Sequence, residues 1–447
     1  MMRCFLLLPL VMSALIGCST ESHPRVLLVS MDGLRADHPT DSSAFCFNLP
    51  TLRSLMPSST TAYRMIVLYP SSTYPCHVSM ITGEPPAGHG VYSNERFVPL
   101  SDARGDYHWE HALIRAPTLY EAFRDAHRTT AAIGWPTTVG APIDYNLPEY
   151  WEGGRFRETV IDKIKSVSSP TLLEQAQQRY GFEFTFEQLE AHKNLIAKHL
   201  VLTHKPDLLM MHYVDTDLKQ HLHGPTSAEA MASIEWVDGQ LSELLDAYVE
   251  AGVRNNLIIC VASDHGFEHV DEEFAPNVAL RNAGLLDYDD EAKRITDWRV
   301  KAWVAGGSAA IILRDPNDKT LEARARQVFQ DLLDQADSPV ARIIDREELT
   351  KLGSNPMAVF AIDATVGVTF SRSAGGPLLR PSFLKGTHGQ LPDRDGLAAA
   401  FVISGPGVLA GKQRSTFRLI DVAPSLAKLA NVPFPAVTGR AVSFDEP

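Results

Sequence analysis

Apolar runs that end in polar residues recur along this chain. The first, Val26–Met31, leads directly into Asp32. Three later runs have the same form: Leu208–Val214, Leu257–Ala262 and Ala398–Ser404. An uninterrupted apolar run of this length is typical of a strand buried on both faces of a parallel sheet. We therefore expect four such strands, with their polar carboxyl ends meeting at one edge of the sheet.

Helical patterns lie between these runs. One long helix is predicted to begin at Thr226, whose hydroxyl would cap it, and to stop at Gly252. Two others are predicted, one with Pro117 in its first turn and one beginning after Asp318. Strands that alternate with helices predict an α/β protein. Its mainly parallel sheet would be covered by helices on both faces, with a ligand site at the strand ends.

Two stretches interrupt this alternation, residues 95–204 and residues 268–387. Both are predicted to be insertions that form a cap over the strand ends. The expected organisation is one large domain over residues 25–440, followed by a short C-terminal tail over residues 441–447.

The start of the chain has a short basic end and then an apolar segment too brief to span a bilayer, which predicts an export signal over residues 1–17. The segment Leu15-Ile16-Gly17-Cys18 resembles the bacterial lipobox, in which the cysteine is acylated. We therefore expect a lipidated Cys18 and a linker over residues 18–24, which tether the protein to the cell envelope. Ser19 favours the outer membrane, facing the periplasm, in a Gram-negative source. An ordinary cleaved signal with an incidental cysteine is the alternative.

The bulk composition excludes two classes of protein. The 447 residues are 45% hydrophobic and 21% charged, so the chain can bury a large core and is not a disordered polymer. Its 41 basic and 54 acidic residues give a formal net charge of -13. Such a chain lacks the positive field that holds a nucleic-acid backbone, so no sequence-specific nucleic-acid binding is expected.

The number and spacing of the cysteines limit which side chains could bind a metal. Besides Cys4 and Cys18, the chain has Cys46, Cys76 and Cys260, an odd number without paired spacing. Neither a disulfide framework nor a thiolate zinc site is indicated. Any metal must be held by histidines and carboxylates.

Six residues at strand ends or in adjoining loops are of the types that bind zinc. They are Asp32, Asp217, His221, Asp264, His265 and His388. Asp217 and His221 are four residues apart and could reach one ion from one helical face. Asp264 and His265 could both meet a two-metal centre if the backbone turns at Gly266. Taken singly, each residue has an ordinary alternative, such as a helix cap or a surface loop.

A candidate nucleophile, Thr73, lies in Ser72-Thr73-Tyr74-Pro75-Cys76-His77. Hydroxyls are weak nucleophiles until a base or a metal activates them. Thr73 is therefore a candidate only beside a metal centre, and a solvated loop is the alternative for this segment.

The order of these segments resembles the nucleotide pyrophosphatase/phosphodiesterase family of the alkaline phosphatase superfamily, from Arg25 to about Arg440. The segments that carry the resemblance are Met31-Asp32-Gly33, Thr73-Tyr74-Pro75, Met80-Ile81-Thr82-Gly83, Gly88-His89-Gly90 through Asn94, Asp217 through Pro225, Ser263-Asp264-His265-Gly266 and Gly386-Thr387-His388-Gly389. Two positions depart from the family pattern: Cys76 stands where asparagine is usual, and Gln220 where glycine is usual.

The resemblance implies an alkaline phosphatase-like fold, a catalytic domain over residues 25–440 and two Zn²⁺ per chain. One zinc would be held by Asp217, His221 and His388, and the other by Asp32, Asp264 and His265, with Thr73 bound to the second. Thr73 would attack phosphorus and form a phosphothreonine intermediate, while Asn94 would bind a non-bridging oxygen. Two zinc ions against three carboxylates leave one positive charge, which a threonine alkoxide neutralises.

The expected partner is a small phosphoester substrate, with a nucleotide as one candidate. Tyr74 would bind it by stacking an aromatic leaving part, and Trp135, Tyr150 and Trp151 would extend that platform.

Diesters are expected to be preferred over monoesters. A monoester has an additional negative oxygen that needs a cation, and no arginine lies between Pro70 and Gly90. Arg96 is the nearest exception, because it follows Asn94 by two residues.

Three functions remain open from the sequence. The first is a phosphodiesterase or nucleotide pyrophosphatase, and the second is a phosphomonoesterase or phosphonate hydrolase of the same superfamily. The third is a metal-binding envelope lipoprotein without catalysis, which would have no use for a positioned Thr73. The oligomeric state stays open.

Overall fold

The computed structural model describes residues 23–39, 47–151 and 158–445. The predicted export signal and the cysteines Cys18 and Cys46 lie outside these ranges. No helix in the described ranges combines the length and the apolar character needed to cross a membrane.

An eight-stranded sheet forms the centre of the fold. Its strands, in spatial order, are β19 (Lys412–Arg414), β2 (Ser59–Ala62), β18 (Phe401–Ser404), β7 (Leu257–Ala262), β1 (Arg25–Met31), β6 (Leu208–Tyr213), β4 (Thr130–Ile133) and β5 (Tyr145–Leu147). The five strands from β7 to β5 are parallel to one another. The predicted mainly parallel sheet is therefore confirmed.

Helices cover both faces of this sheet, as predicted. Alternate residues of β1 divide between two hydrophobic cores: Leu27 and Val29 lie in one, and Val26 and Leu28 in the other. The first core is closed by α1 (Pro50–Leu55), α5 (Glu158–Val167), α6 (Leu172–Tyr180), α7 (Leu189–Thr203) and α9 (Ala228–Glu250). The second is closed by α2 (Thr73–Thr82), α4 (Leu119–Asp125) and α13 (Val422–Leu429). Two shorter helices are α3 (Pro86–His89), which packs against α2, and α8 (Asp215–His223), which follows the carboxyl end of β6.

Residues 268–387 form further sheets with a hydrophobic core of their own. An antiparallel sheet has the order β11 (Val300–Ala305), β12 (Ser308–Leu313), β14 (Phe360–Ala364) and β13 (Val340–Asp345). The smaller pairings join β15 (Gly367–Phe370), β8 (Glu268–Phe274), β16 (Leu379–Pro381) and β17 (Gly386–Thr387), and join β9 (Leu286–Asp289) to β10 (Arg294–Trp298). The helices here are α10 (Pro276–Asn282), α11 (Lys319–Leu333) and α12 (Arg346–Lys351). Elsewhere, β3 (Met65–Ile66) pairs with β20 (Phe417–Arg418).

Residues 95–204 are only in part an insertion over the strand ends. Strands β4 and β5 extend the central sheet beyond β6, where Ala131 pairs with Leu209. Helices α4 to α7 of the same stretch cover the faces of the sheet. Short strands such as β5 do not show the long apolar run that identified the other strands, and this explains why the sequence pattern missed them.

The prediction that all four apolar runs end at one edge is wrong for the last of them. Strand β18 is antiparallel to β7, with Phe401 opposite Ala262 and Ser404 opposite Ile259. Its carboxyl end therefore lies at the edge opposite the polar ends of β1, β6 and β7. An apolar run predicts burial but carries no information about strand direction.

Two of the predicted helix starts need correction, and one is confirmed. The cap of α9 is Ser227, which accepts from the backbone N–H of Ala230, and not Thr226. Pro117 precedes α4, which is capped by Thr118 in a capping box with Glu121. The predicted start after Asp318 is confirmed: α11 begins at Lys319, and the Asp318 carboxylate caps it by accepting from the N–H of Leu321.

Candidate active site

Two neighbouring strand ends supply three fully buried side chains, Asp32 after β1 and Asp264 and His265 after β7. His265 Nε2 lies 3.4 Å from Asp32 Oδ1 and 3.2 Å from Asp264 Oδ2. The parallel pairing of β1 with β7 brings these residues together, because Ser30 is level with Ala262.

Two glycines make this crossing of the strand ends possible. Gly33 has φ 72°, and a Cβ there would lie 2.6 Å from the ring of Phe267. At Gly266 a Cβ would lie 2.1 Å from the carbonyl oxygen of Gly396. A side chain at Gly33 would therefore push against Phe267, which follows β7, and one at Gly266 would push against the loop of Gly396 that precedes β18.

A second group comes from α8 and the loop after β17. His221 Nε2 lies 3.4 Å from Asp217 Oδ1, and His388 Nε2 lies 3.6 Å from the same oxygen. The ring of His388 stacks on His265 with centroids 3.7 Å apart, so the two groups form one continuous cluster. The structure thus brings together all six residues that the sequence singled out as metal ligands.

Each of the three histidines is oriented by a backbone carbonyl. The Nδ1 atoms of His221, His265 and His388 lie 2.9, 3.1 and 2.8 Å from the carbonyl oxygens of Gly386, Gly266 and Ser71, respectively. An N–H at Nδ1 that donates to such a carbonyl leaves the Nε2 lone pair free to bind a metal. All three Nε2 atoms face the carboxylates of the cluster.

The carboxylates of the cluster each have an oxygen that lacks a hydrogen-bond donor within the described ranges. These oxygens are Asp32 Oδ1, Asp217 Oδ1 and Asp264 Oδ2. Buried polar atoms without a partner are rare and costly in folded proteins. Candidate ligand atoms of Asp32, Asp264 and His265 lie within 4.8 Å of one another, as do those of Asp217, His265 and His388. Carboxylate oxygen and imidazole nitrogen are the ligands that zinc binds in the absence of thiolates, so the residues fit a metal centre.

The electrostatics without a metal are unfavourable. Burial, followed by the Asp32 carboxylate, raises the pKa of Asp264 well above its ordinary value. Burial lowers the pKa of His388 to about 3. Both directions disfavour the charged side chain at neutral pH, and bound cations would remove this cost for the carboxylates.

The candidate nucleophile stands beside this cluster. Thr73 is the first residue of α2, and its Oγ1 lies 3.4 Å from His265 Nε2. Asn94 Oδ1 accepts a hydrogen bond of 2.8 Å from the backbone N–H of Tyr74, the residue after Thr73. This bond holds the Asn94 side chain next to the start of α2, with its amide Nδ2 as the remaining donor.

The sequence reasoning missed a buried group behind Asp32. His212 Nε2 lies 3.0 Å from Asp32 Oδ2, and its Nδ1 lies 2.9 Å from Glu149 Oε2. Thr216 Oγ1 donates to the Asp32 carbonyl at 2.5 Å. A histidine inside the apolar run of β6 was the signal that could have identified His212. No comparable pattern marks Glu149, which follows β5.

The predicted aromatic platform is not supported by the structure. The ring of Tyr74 is fully buried and packs edge-on against Tyr107, at 5.1 Å between centroids. Trp135 and Tyr150 are also buried. Of the predicted group, Tyr74 and Trp151 line a cavity in front of the cluster, and of these two Trp151 is partly exposed.

Both departures from the family pattern have a structural role. Cys76 is buried in the core on the α2 face of the sheet, where burial raises the pKa of its thiol. Gln220 Nε2 donates to the carbonyls of Gly33 and Thr216 at 3.0 and 3.2 Å, and so braces the turn after β1. The Cys76 and Gln220 side chains do not take part in the contacts that join the carboxylates and histidines of the cluster.

A cavity of about 750 Å³ lies in front of the cluster. Its wall includes Thr73 and Asn94, and it also includes two arginines, Arg104 and Arg372. Arg96 does not line it, since its guanidinium pairs with Glu110. The expectation that no arginine reaches the site is therefore wrong, while the preference for diesters stays a prediction.

An α/β sheet with two linked groups of carboxylate and imidazole ligands at its carboxyl edge defines a class of proteins with a metal centre at the strand ends. Residues 26–390 match the family described as type I phosphodiesterase/nucleotide pyrophosphatase. The chain belongs to this family.

Curated relatives are distant in sequence. Ectonucleotide pyrophosphatase/phosphodiesterase family member 1 of Mus musculus is 24% identical over 256 residues, which cover 56% of this chain and 25% of the relative. Venom phosphodiesterase 2 of Crotalus adamanteus is 23% identical over 412 residues, covering 89% and 44%. A bis(5'-adenosyl)-triphosphatase of Bos taurus is 25% identical over 287 residues, covering 61% and 55%. The chain thus spans between a quarter and about half of the length of these relatives.

Solved structures share the fold. Murine ectonucleotide pyrophosphatase/phosphodiesterase 5 has a TM-score of 0.66 at 17% identity, covering 93% of this chain and 97% of that chain. An inactive variant of the same murine protein in complex with AMP gives the same values. These neighbours confirm the predicted alkaline phosphatase-like fold.

Proposed function

We propose that the protein is a zinc-dependent phosphodiesterase or nucleotide pyrophosphatase that hydrolyses phosphodiester or phosphoanhydride bonds. The observation that carries this proposal is the position of the Thr73 hydroxyl, 3.4 Å from His265 Nε2 at the edge of a cluster with three unpaired carboxylate oxygens. A protein that only bound metal would have no use for a hydroxyl held at that point. The family membership of the chain agrees with this activity.

Two Zn²⁺ are the proposed cofactors. One would be held by Asp217, His221 and His388, and the other by Asp32, Asp264 and His265. The ions would supply Lewis acidity and charge compensation for a developing alkoxide and leaving group. The chain itself orients these ligands through the backbone carbonyls that face each Nδ1.

The Thr73 side chain acts as the nucleophile in this mechanism. Its Oγ1 forms a bond to phosphorus while the bond between phosphorus and the leaving oxygen breaks; the leaving group keeps that electron pair, and the Oγ1 proton passes to water. Water then hydrolyses the phosphothreonine and regenerates the hydroxyl. The Nδ2 amide of Asn94 donates to a non-bridging oxygen as negative charge increases there. Thr73 begins α2, so the positive end of the helix dipole lies beside its hydroxyl and favours an anionic phosphate there.

A phosphomonoesterase is the second candidate, and Arg104 and Arg372 in the cavity wall favour it. A monoester has one more negative oxygen than a diester, and a guanidinium is a suitable partner for that charge.

Zinc-loaded protein lacking residues 1–18 can be assayed against bis-p-nitrophenyl phosphate, p-nitrophenyl phosphate, a p-nitrophenyl nucleotide ester and phosphonoacetate. Higher kcat/KM for the two diesters supports the proposal. A preference for p-nitrophenyl phosphate or phosphonoacetate assigns the chain to the monoesterase or phosphonatase alternatives. Absence of turnover on all four, with zinc bound, favours a non-catalytic metal binder.

We also propose that Cys18 carries lipid and tethers the protein to the cell envelope, at the outer membrane facing the periplasm if the source is Gram-negative. The lipobox-like segment Leu15-Ile16-Gly17-Cys18 supports this proposal.

A further inference from the structure

Two arginines that are distant in sequence share one carboxylate in the cavity wall. Arg372 donates to Glu95 through two nitrogens, Nε to Oε2 at 2.9 Å and Nη2 to Oε1 at 2.6 Å. Arg104 Nε lies 3.3 Å from Glu95 Oε1, and its Nη1 donates to the Tyr107 hydroxyl at 2.9 Å. Glu95 is therefore held between two guanidinium groups.

The side chain of Glu95 is much less exposed to solvent than those of Arg104 and Arg372. The Glu95 side chain is only 6% exposed, whereas those of Arg104 and Arg372 are 43% and 31% exposed. The carboxylate is thus buried behind the guanidinium groups, and the guanidinium groups face the cavity. Two positive charges against one negative charge leave a net charge of +1 at this part of the wall.

The backbone fixes both arginines in place. Residues 94–108 form a hairpin in which Glu95 bridges to Tyr107 and His108 N–H donates to the Asn94 carbonyl, so Arg104 returns over Glu95. The carbonyl of Arg372 accepts from Asn277 Nδ2 at 3.1 Å. Some of the N–H donors of each guanidinium are already bound to the buried carboxylate, which holds the side chain in one conformation. It therefore loses less conformational entropy when an anion binds.

This part of the wall adjoins the proposed reaction site, since Arg104, Arg372 and Thr73 all line the same cavity. Glu95 directly follows Asn94, yet the contacts of the two guanidinium groups are with Glu95 and Tyr107 and not with Thr73. An anion bound there would be a group next to the reacting phosphorus and not the reacting phosphorus itself.

We propose that Arg104 and Arg372, oriented by Glu95, form a second anion subsite, which selects substrates that have a second phosphate group beside the one being cleaved. This inference rests on the proposed phosphoesterase function. It names Arg104 and Arg372 as residues that bind substrate and Glu95 as a positioning residue. Substrates with a single negative charge fill the reaction site but leave this subsite without a partner.

The test compares two substrates that transfer the same AMP group. ATP has further phosphates, whereas the p-nitrophenyl ester of AMP has one negative charge. Arg104→Gln and Arg372→Gln should each lower kcat/KM for ATP by about tenfold to a hundredfold, as expected for the loss of a charge-assisted hydrogen bond. The value for the nitrophenyl ester should change by less than about threefold. Arg104→Lys and Arg372→Lys keep the charge and should recover part of the ATP activity.

Arg96→Gln is the matched control, because Arg96 belongs to the same segment but pairs with Glu110 outside the cavity lining. It should leave both substrates unaffected. Equal losses on ATP and the nitrophenyl ester in Arg372→Gln, or an unchanged ATP value, would overturn the subsite. A selective loss on p-nitrophenyl phosphate would overturn it too, because the arginines would then bind the reacting phosphate. The melting temperature of each variant shows whether the substitution has merely destabilised the fold by breaking the ion pair between Glu95 and Arg372.

The subsite can also be tested if the protein proves not to be a phosphoesterase. If the wild-type protein cleaves neither substrate, calorimetric titration with inorganic pyrophosphate still tests the subsite. Binding that is at least tenfold weaker in Arg372→Gln and unchanged in Arg96→Gln supports the subsite without catalysis. Equal binding in all three proteins overturns it.

Discussion

The side-chain Oδ1 of Asn94 accepts a hydrogen bond of 2.8 Å from the backbone N–H of Tyr74. This bond joins the hairpin after α3 to the first turn of α2, which begins with Thr73. Because the acceptor is used in this way, only the Nδ2 donor of Asn94 is left for a substrate oxygen.

The two functions of the Asn94 amide can be separated by substitution. Asn94→Asp keeps an acceptor for the Tyr74 N–H but replaces the donor by a negative oxygen. We expect kcat to fall by about 10²–10³-fold, as for the loss of one donor that stabilises a transition state. The melting temperature should stay close to that of the wild type. A variant that keeps wild-type kcat would show that Asn94 only supports the helix start.

Thr73→Ala should lower kcat by at least ~10³-fold, because it removes the nucleophile. The metal ligands are untouched, so the zinc content should not change. Thr73→Ser retains a hydroxyl at the same position and should keep measurable turnover. Rapid-quench mass spectrometry should detect a phosphorylated Thr73 peptide in the wild type. Turnover in Thr73→Ala close to that of the wild type would refute the assignment.

The two ligand groups should each contribute about one zinc ion. We expect a stoichiometry near two for the wild type and near one for Asp217→Asn, because Asp217 serves only the group on α8. Asp215→Asn is the control: this carboxylate belongs to the same helix but accepts from Ser233 at 2.7 Å. Metal analysis after gel filtration measures all three. A wild-type content near zero in protein refolded with zinc would rule out the site.

When the metal is removed, the buried Asp264 carboxylate should lower the stability of the protein. Its folded pKa is raised above the ordinary 3.8, so its contribution to stability is present below 3.8 and is lost as pH rises through the raised value. Asp264→Asn keeps the Oδ1 acceptor for the Gly33 N–H and removes the charge. In chelator-treated protein this variant should melt higher than the wild type, and the difference should increase as the pH rises above the ordinary pKa of 3.8 towards the raised pKa of Asp264.

The pKa of His388 shifts in the opposite direction to that of Asp264. Its contribution to stability is expected to be the same in the wild type and in Asp264→Asn. Its pKa is lowered to about 3, so its contribution is present above 6.5 and is lost as pH falls. Added zinc should reverse the order of the two melting temperatures, because only the wild type has the complete ligand group of Asp32, Asp264 and His265. A pH-independent difference would contradict the assigned role of the Asp264 charge.

Cys18→Ala should block incorporation of labelled fatty acid and normal processing of the precursor. The change affects a residue far from the cluster in sequence, so hydrolysis by the released protein should persist. Cys76→Ala is a control for labelling, since Cys76 is buried in the core. Label that still enters Cys18→Ala would place the anchor elsewhere.

The sequence by itself determined the types of side chain at the site and the order in which the chain supplies them. Asp32 and Asp264 could be located because each ends an apolar strand, and this depends on local pattern alone. Thr73, by contrast, was singled out by its hydroxyl and by the resemblance of its segment to the family, and not by a strand pattern. Burial and strand period are local properties, so the mainly parallel sheet and its polar edge could be predicted.

Only the tertiary structure decided which distant residues meet. Arg372 pairs with Glu95 across 277 positions, because residues 268–387 pack beside the hairpin of residues 94–108. The reversed direction of β18, the burial of the Tyr74 ring and the contact of His212 with Asp32 were decided in the same way. Such contacts arise when separately predicted elements are packed into one volume, and no local pattern of hydrophobic and polar residues records that packing.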